Sequence, residues 1–580
     1  MSTADFDAIL ARLEAARDDP RALALATLDI CLAGREPLLR SAVEAAAIPH
    51  WFDTDILRAL LPDAEARIDD LLQELAKLPM VETFKARGGW NVHELTRLAL
   101  RERMARDEPA RLAELSALAA AQFAGDASER QIECVFHRLN ASPAEGAAEL
   151  YALSRAWDDA GRHETLQALG VALDELARGS PLVPIAEAQV KLRLGVIRSD
   201  RLAVAERMVL ARRALELFRA CGDVQGIVDA LDFRGDIEED SGEIEHARAS
   251  YVESFKSAKS AAALDPDSTH WRRELAVAHS KIGRVFQAQG KLDAALAEYQ
   301  EYKRIMAELA VLDPANDNWQ RELSVSHNNV GGIFQAQGKL DAALDEYQES
   351  KRIMADLAAL DPANAGWQRD LSVSHNNVGG IFRARGKLDA ALAEYQESKR
   401  IMADLAAVDP ANTGWQRGLS VSHHCVGGIF QAQGKLDAAL AEYQEYKRFM
   451  AELAVLDPGN ANWQRELSVS HNNVGGIFQA QGKLDAALAE YQAGMRIMAE
   501  LTALDPANTG WQRDLSVSHN HVGGIFEVQG KLDAALAEFQ ADLRIAETLV
   551  ALDPSNAVWR EDLRITRDCV ESLRRKLDQA

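Results

Sequence analysis

Between Trp319 and Phe334 the residues Trp319, Leu323, His327, Val330 and Phe334 follow at steps of four, four, three and four, which is one stripe of an α-helix. The stripe predicts a first helix from about Trp319 to Gln337. Gly338 ends it, and Leu340, Ala343, Leu344, Tyr347, Ser350, Met354 and Leu357 carry the same period through a second helix. That helix stops at LDPAN, where Pro362 cannot continue it and Asn364 can cap the next one. Each helix spans about 20 residues, roughly 30 Å.

The pattern returns every 48 residues, marked by Trp271, Trp319, Trp367, Trp415, Trp463, Trp511 and Trp559. A helical pair cannot bury its apolar stripe alone, so the repeats predict a stacked solenoid of six units over 271–558. Residues 559–580 keep the tryptophan but replace the asparagines and glycines by charges, and are expected to form a capping helix. In the second unit Gly331, Phe334, Gly338, Leu340, Ala343 and Tyr347 match the small and aromatic positions of the tetratricopeptide repeat, which the unit resembles. Relative to that family's usual unit of about 34 residues, roughly 14 are added, two heptads that keep the buried stripes nearly in phase. The Asn-Asn pair ahead of the Gly-Lys turn is similar to repeats of the kinesin light chain type. The resemblance implies an all-α, right-handed α-solenoid of helical hairpins.

On the first helix, Asn328, Gly332 and Gln335 lie roughly 140–180° from the centre of the buried stripe, and Asn329 about 120° from it. Their copies are expected to form two ladders on the concave face: Ser280, Asn328, Asn376, His424, Asn472 and Asn520, and beside it Lys281, Asn329, Asn377, Cys425, Asn473 and His521. An amide carries both a donor and an acceptor, so such ladders can grip the backbone of an extended segment. The candidate peptide- or partner-binding residues are Asn328, Asn329, Gln335, Asn376, Asn377, His424, Asn472, Asn473, Gln479, Asn520 and His521. The alternative is that these amides solvate a helix face or bond to neighbouring helices. Mid-helix Gly331 and Gly332 cost about 2 kcal/mol per unit relative to alanine; Gly331 is expected to allow close packing and Gly332 to leave backbone bare beside the asparagines. In the fourth unit, SHHCVGG puts His424 and Cys425 in place of both asparagines, a poor chelate because adjacent helical residues diverge by about 100°. The regular histidines, His279 through His519, are expected to be satisfied packing residues.

Catalytic readings fail. GIFQAQGKL has five residues between its glycines, a leucine where a magnesium-binding hydroxyl belongs, and a helix rather than a strand before it. No GxSxG, HExxH or paired-cysteine zinc signature occurs, so no enzyme activity, cofactor or metal is expected.

The first 125 residues differ. Helical patterns at 4–17, 20–33 and 36–47 precede two short helices, Asp53–Leu61 and Asp63–Leu78, and MVETFKARGGWNVH alternates around a turn like a β-hairpin. This order resembles the winged-helix module of STAND-type signalling ATPases, and NVHELTRLAL looks like their Met-His-Asp stretch, in which the histidine, here His93, contacts nucleotide. No Walker motif precedes it in this sequence. The helix Asp63–Leu78 carries Asp63, Glu65, Asp69, Asp70 and Glu74 against Arg67 and Lys77, which repels phosphate and favours a protein contact over DNA. Residues 126–270 are read as degenerate hairpins, with a joint near Pro181.

A formal charge of −24 argues against nucleic acid, five scattered cysteines point to a reducing cytoplasm, and no run of about 18 apolar residues indicates a membrane span. The expected function is a scaffold or regulatory subunit for a protein or peptide partner. The STAND resemblance implies a bacterial signalling or antiviral defence setting, with an effector such as a protease or transcription factor recognised or restrained. The alternatives are a winged-helix transcriptional regulator and a detached partner of an ATPase.

Overall fold

A computed structural model describes residues 11, 13–159, 162–179 and 182–579. The helix expected at 4–17 lies largely, and the joint at Pro181 wholly, outside the described residues. The chain divides into two compact units, Met1–Ile305 and Met306–Ala580.

The first unit begins with helices Pro20–Cys31, Pro37–Ala46 and Thr54–Leu60. Asp53 caps the third by accepting from the Ile56 amide at 2.8 Å. The single helix expected from Asp63 to Leu78 is instead a 3-10 stretch, Pro62–Arg67, followed by an α-helix, Ile68–Leu75, because Ala64 (φ −111°, ψ 18°) leaves helical geometry where its side chain is buried. The expected hairpin is present as antiparallel β1 (Val81–Phe84) and β2 (Gly89–Val92), with Val81 opposite Val92. Gly88 turns it at φ +68°, a conformation that a side chain disfavours. Phe52 and Trp90 exchange backbone hydrogen bonds at 2.7 and 2.8 Å, which tie β2 to the chain before the third helix. Leu39, Val43, Ile48, Phe52, Leu57, Ile68 and Leu71 close this core. Helix Glu94–Asp107 follows the hairpin, and the remaining elements of the unit are helices, including the packed pairs Pro184–Ile197 with Val204–Cys221 and Val224–Asp240 with Ile244–Leu264.

The second unit holds five complete hairpins: Asp317–Ala336 with Leu340–Leu360, Ala365–Ala384 with Leu388–Val408, Thr413–Ala432 with Leu436–Leu456, Ala461–Ala480 with Leu484–Leu504, and Thr509–Val528 with Leu532–Leu552. Helix Ala557–Asp578 follows them. Asn364 accepts from the Trp367 amide at 3.1 Å, and Asn316, Asn412, Asn460 and Asn508 do the same in their hairpins. Gly338 ends the first helix at φ +74°, with the Lys339 amide donating back to the Phe334 carbonyl at 2.9 Å. Each hairpin is completed by the next one. Ala343, Leu344 and Tyr347 pack on Val378 and Ile381, and the grouping recurs down to Ala535 and Phe539 on Val570 and Leu573 of the last helix. Among the described residues no helix is long and apolar enough to cross a membrane.

Candidate functional site

The two adjacent glycines of each repeat have different surroundings. A Cβ on Gly331 would lie 2.9 Å from the Tyr347 ring, so the close approach of the two helices demands glycine there. A Cβ on Gly332 would meet only the Tyr347 hydroxyl, at 3.6 Å, and one on Gly524 would meet nothing within 4 Å. Packing does not require the second glycine, and it leaves a notch of bare backbone on the first helix.

Beside the notches the ladder residues are half-buried, while Gln335 and Gln479 are exposed. The two ladders are stitched together across hairpins. Asn377 donates its amide to Asn328 Oδ1 at 3.2 Å, and Asn473 Nδ2 lies 2.9 Å from His424 Nδ1. Each bond joins the first ladder of one hairpin to the second ladder of the next. At the intervening steps the partner is not an amide: Cys425 follows Asn376, and His521, which follows Asn472, stacks on Tyr491 at 4.8 Å. Asn376 Oδ1 and Asn472 Oδ1 are buried there without a hydrogen-bond partner. Asn520 turns to the buried Asp542, at 3.3 Å, and Asn329 is also engaged. Gln335 and Gln479 accept from the Tyr347 and Tyr491 hydroxyls at 3.0 and 2.9 Å. The alternative of bonding between neighbouring helices is therefore realised at several rungs, while Gln335 and Gln479 are the exposed members of the set. Because Asn376 lacks only a donor, Cys425→Asn is expected to stabilise the second unit by about 1 kcal/mol in denaturant unfolding; an unchanged midpoint would contradict this pairing.

The repeated histidines do more than pack. His327, His375, His423 and His471 each place Nδ1 2.6 Å from a glutamate nineteen residues on, Glu346, Glu394, Glu442 and Glu490. Lys351, Lys399 and Lys447 reach from the preceding hairpin to Glu394, Glu442 and Glu490 at 2.7 Å. Burial alone would raise these three carboxyls, but it is outweighed by the histidine and lysine hydrogen bonds, and they are held below the ordinary value of 4.5. The stability this confers is present above the unfolded carboxylate pKa and is lost as pH falls through the lower folded values. Circular dichroism of thermal unfolding is expected to show the melting temperature dropping below about pH 4.5, with the drop reduced in a Glu394→Gln, Glu442→Gln, Glu490→Gln variant.

The first unit has a different chemistry at the same columns. Gly235, Gly283 and Gly331 all pack on an aromatic ring, of Tyr251, Tyr299 and Tyr347, so the 48-residue frame puts Asp232 in the first ladder. Lys281, in the second ladder, sits 3.8 Å from Asp232 and 2.8 Å from Asp236. Elsewhere in this unit an ionic cluster is buried. His50 Nδ1 meets Glu133 at 2.7 Å and its Nε2 meets Glu175 at 3.3 Å, Arg97 donates to Glu175 at 2.5 Å, and Arg101 lies 4.3 Å from the Phe136 ring centre. Burial pushes His137 down to about 4 and Arg101 down to about 10, whereas His50, Arg97 and Arg101 hold Glu175 at about 2 in spite of burial. His93 stands at the N-cap position of helix Glu94–Asp107, makes no side-chain capping hydrogen bond there, and is exposed. Among the described residues no group of three or more His, Cys, Asp or Glu is placed to hold a metal ion.

No family model matches this chain, and none of the curated proteins matches it. Solved structures do. A signal-transduction ATPase with numerous domains and a tetratricopeptide repeat sensor, from Pyrococcus horikoshii, is 11% identical with a TM-score of 0.47, over 82% of this chain and 65% of that one. BtubC from P. vanneervenii is 20% identical with a TM-score of 0.36, over 43% of this chain and 92% of that one. Aspartyl phosphate phosphatase F from Bacillus subtilis is 13% identical with a TM-score of 0.39, over 70% and 94%. These likenesses carry no residue role across. By its own repeats the chain is an all-α protein of stacked, tetratricopeptide-type helical hairpins.

Proposed function

We propose that the notched face of Met306–Ala580 binds an extended peptide segment or a partner protein, and that the chain serves as a non-enzymatic scaffold or regulatory subunit. The observation that carries this reading is the second glycine of each hairpin. Gly332, Gly380, Gly428, Gly476 and Gly524 occupy helix interiors, where glycine costs about 1 kcal/mol relative to alanine, and their neighbours leave room for a Cβ. A peptide backbone can approach the helix closely at such notches, with Gln335 and Gln479 exposed beside them to pair with its amide groups. The negative charge favours a neutral or basic partner.

The order of helices and hairpin in the first unit, with its likeness to a winged-helix module of STAND-type ATPases, supports a bacterial signalling or defence setting in which this chain recognises or restrains an effector, or assists an ATPase. A transcriptional regulator is disfavoured, since Asp69 and Asp70 are exposed on helix Ile68–Leu75. The test is a native pull-down with mass spectrometry, comparing the chain with a variant carrying Gly332→Gln, Gly380→Gln, Gly428→Gln and Gly476→Gln, after circular dichroism shows equal folding. A stoichiometric partner lost from the variant is expected. A partner retained by it would place the interaction elsewhere.

A further inference from the structure

The hairpins of the second unit repeat almost the same sentence, so a residue that departs from it has an internal control. In the column of Gln335 stand Gln335, Arg383, Gln431, Gln479 and Glu527. Glu527 is paired with Lys576 at 2.6 Å. Arg383 is exposed, and its side chain makes no hydrogen bond or ion pair with any described residue. Its guanidinium reaches across to the notch of the next hairpin, where a Cβ on Gly428 would lie 4.0 Å from Nη1. Further departures stand close by: His424 and Cys425 replace the two asparagines, and Tyr446 stands where Ser350 and Ser398 do. The His424 ring centre lies 5.1 Å from that of Tyr446 and 5.9 Å from that of Tyr443.

His424 Nδ1 accepts from the Asn473 amide at 2.9 Å, so the ring proton is assigned to Nε2. Burial and the Arg383 charge lower the pKa of the ring, which keeps it neutral with Nε2–H as a donor. The carboxylates nearby are already engaged: Glu442 with His423 and Lys399 at 2.6 and 2.7 Å, and Glu466 with Arg417 at 2.6 Å. The exposed Arg383 guanidinium stands over the bare backbone of a notch.

We infer that Arg383 and His424 form an oxyanion reader that fixes the register of the bound segment at the hairpins Ala365–Val408 and Thr413–Leu456. The guanidinium presents a fork of N–H groups to a carboxylate or phosphate, and the imidazole Nε2–H adds a neutral donor. The overall negative charge excludes generally acidic ligands, so the segment carries one such group at a set position rather than an acidic run. This rests on the notched face being a binding surface.

The test uses the full chain and a positional-scanning library of ten-residue synthetic peptides, made with free and with amidated C-termini and with a phosphoserine series. Binding is read by fluorescence anisotropy for the native chain, for Arg383→Gln and for His424→Asn. Both substitutions restore the residue that other hairpins carry, so folding is not at stake. The expected result is selection of an oxyanion at one position by the native chain, with affinity falling about tenfold or more in Arg383→Gln and less in His424→Asn. Loss on amidation assigns the group to a C-terminal carboxylate, whereas selection of Asp, Glu or phosphoserine assigns it to a side chain. If peptides bind native chain and variants alike with no oxyanion preference, the reader is refuted while the binding surface stands. If no peptide binds any of the three, the reader falls together with the extended-peptide form of the proposed function.

Discussion

Glu175→Ala is expected to cost the first unit about 3–5 kcal/mol of stability, the largest effect of any single substitution considered. Glu175 accepts from Arg97 at 2.5 Å and lies 3.3 Å from His50 Nε2. Arg97 and Arg101 are 6% and 4% exposed, so removing the carboxylate strands two buried cations. The Arg97 Nε and Glu175 Oε1 already lack partners, so the cluster is incompletely satisfied even before the carboxylate is removed. Replacing Arg97 and Glu175 together by methionine is expected to cost less than Glu175→Ala alone, because the pair's desolvation penalty disappears with its attraction. Guanidinium unfolding of the native chain and the two variants checks this; a cost under about 1 kcal/mol for Glu175→Ala would show that the cluster is hydrated.

The same cluster sets a pH dependence. His137, held at about 4 against an ordinary 6.5, stays neutral in the fold while the unfolded chain takes up a proton, so its contribution falls as pH drops from about 6.5 to 4. Glu175, held at about 2, adds a further loss between about 4.5 and 2. His50 is shifted upward, since Glu133 and Glu175 outweigh its burial, and it acts in the opposite direction, its contribution fading as pH rises through its folded value.

Leucine at position 331 and leucine at position 332 are expected to change stability in opposite directions. At 331 even a Cβ stands 2.9 Å from the Tyr347 ring, which is itself packed with Val378 and Ile381 of the next hairpin. The added side chain overpacks a junction between repeats, at a cost of about 2–3 kcal/mol. At 332 the nearest atom to a Cβ is the Tyr347 hydroxyl at 3.6 Å, and leucine gains about 0.8 kcal/mol of helix propensity over glycine. Thermal unfolding of Gly331→Leu and Gly332→Leu measures both. Equal destabilisation by the two would mean that the second glycine also serves packing, and the notch would lose its claim to function.

What the sequence disclosed was local. The stripe through Trp319, Leu323, Val330 and Phe334, the stop at Gly338 and the cap at Asn364 depend on residues within a few positions of one another, and the helices end within a residue or two of expectation. The irregular stretch at Ala64 was not legible, because no glycine or proline stands between Asp63 and Leu78 to mark a break. The ladders were legible as columns, but their stagger was not. The bond from Asn377 to Asn328 spans 49 residues and depends on how successive hairpins superpose. The His327–Glu346 pair, nineteen residues apart across a turn, was detectable in principle, since the same spacing recurs in each repeat. The His50, Arg97, Glu133 and Glu175 cluster had no such signal, as its partners lie 78 and 83 residues apart without a period.

The most direct test of the binding face is hydrogen exchange, read by mass spectrometry, on the native complex recovered with its partner and on the chain alone. Slowed exchange confined to the first helices of the hairpins, Asp317–Ala336, Ala365–Ala384, Thr413–Ala432, Ala461–Ala480 and Thr509–Val528, is the result this account predicts. Slowing confined to the second helices, such as Leu340–Leu360 and Leu388–Val408, or to Met1–Ile305 would contradict it.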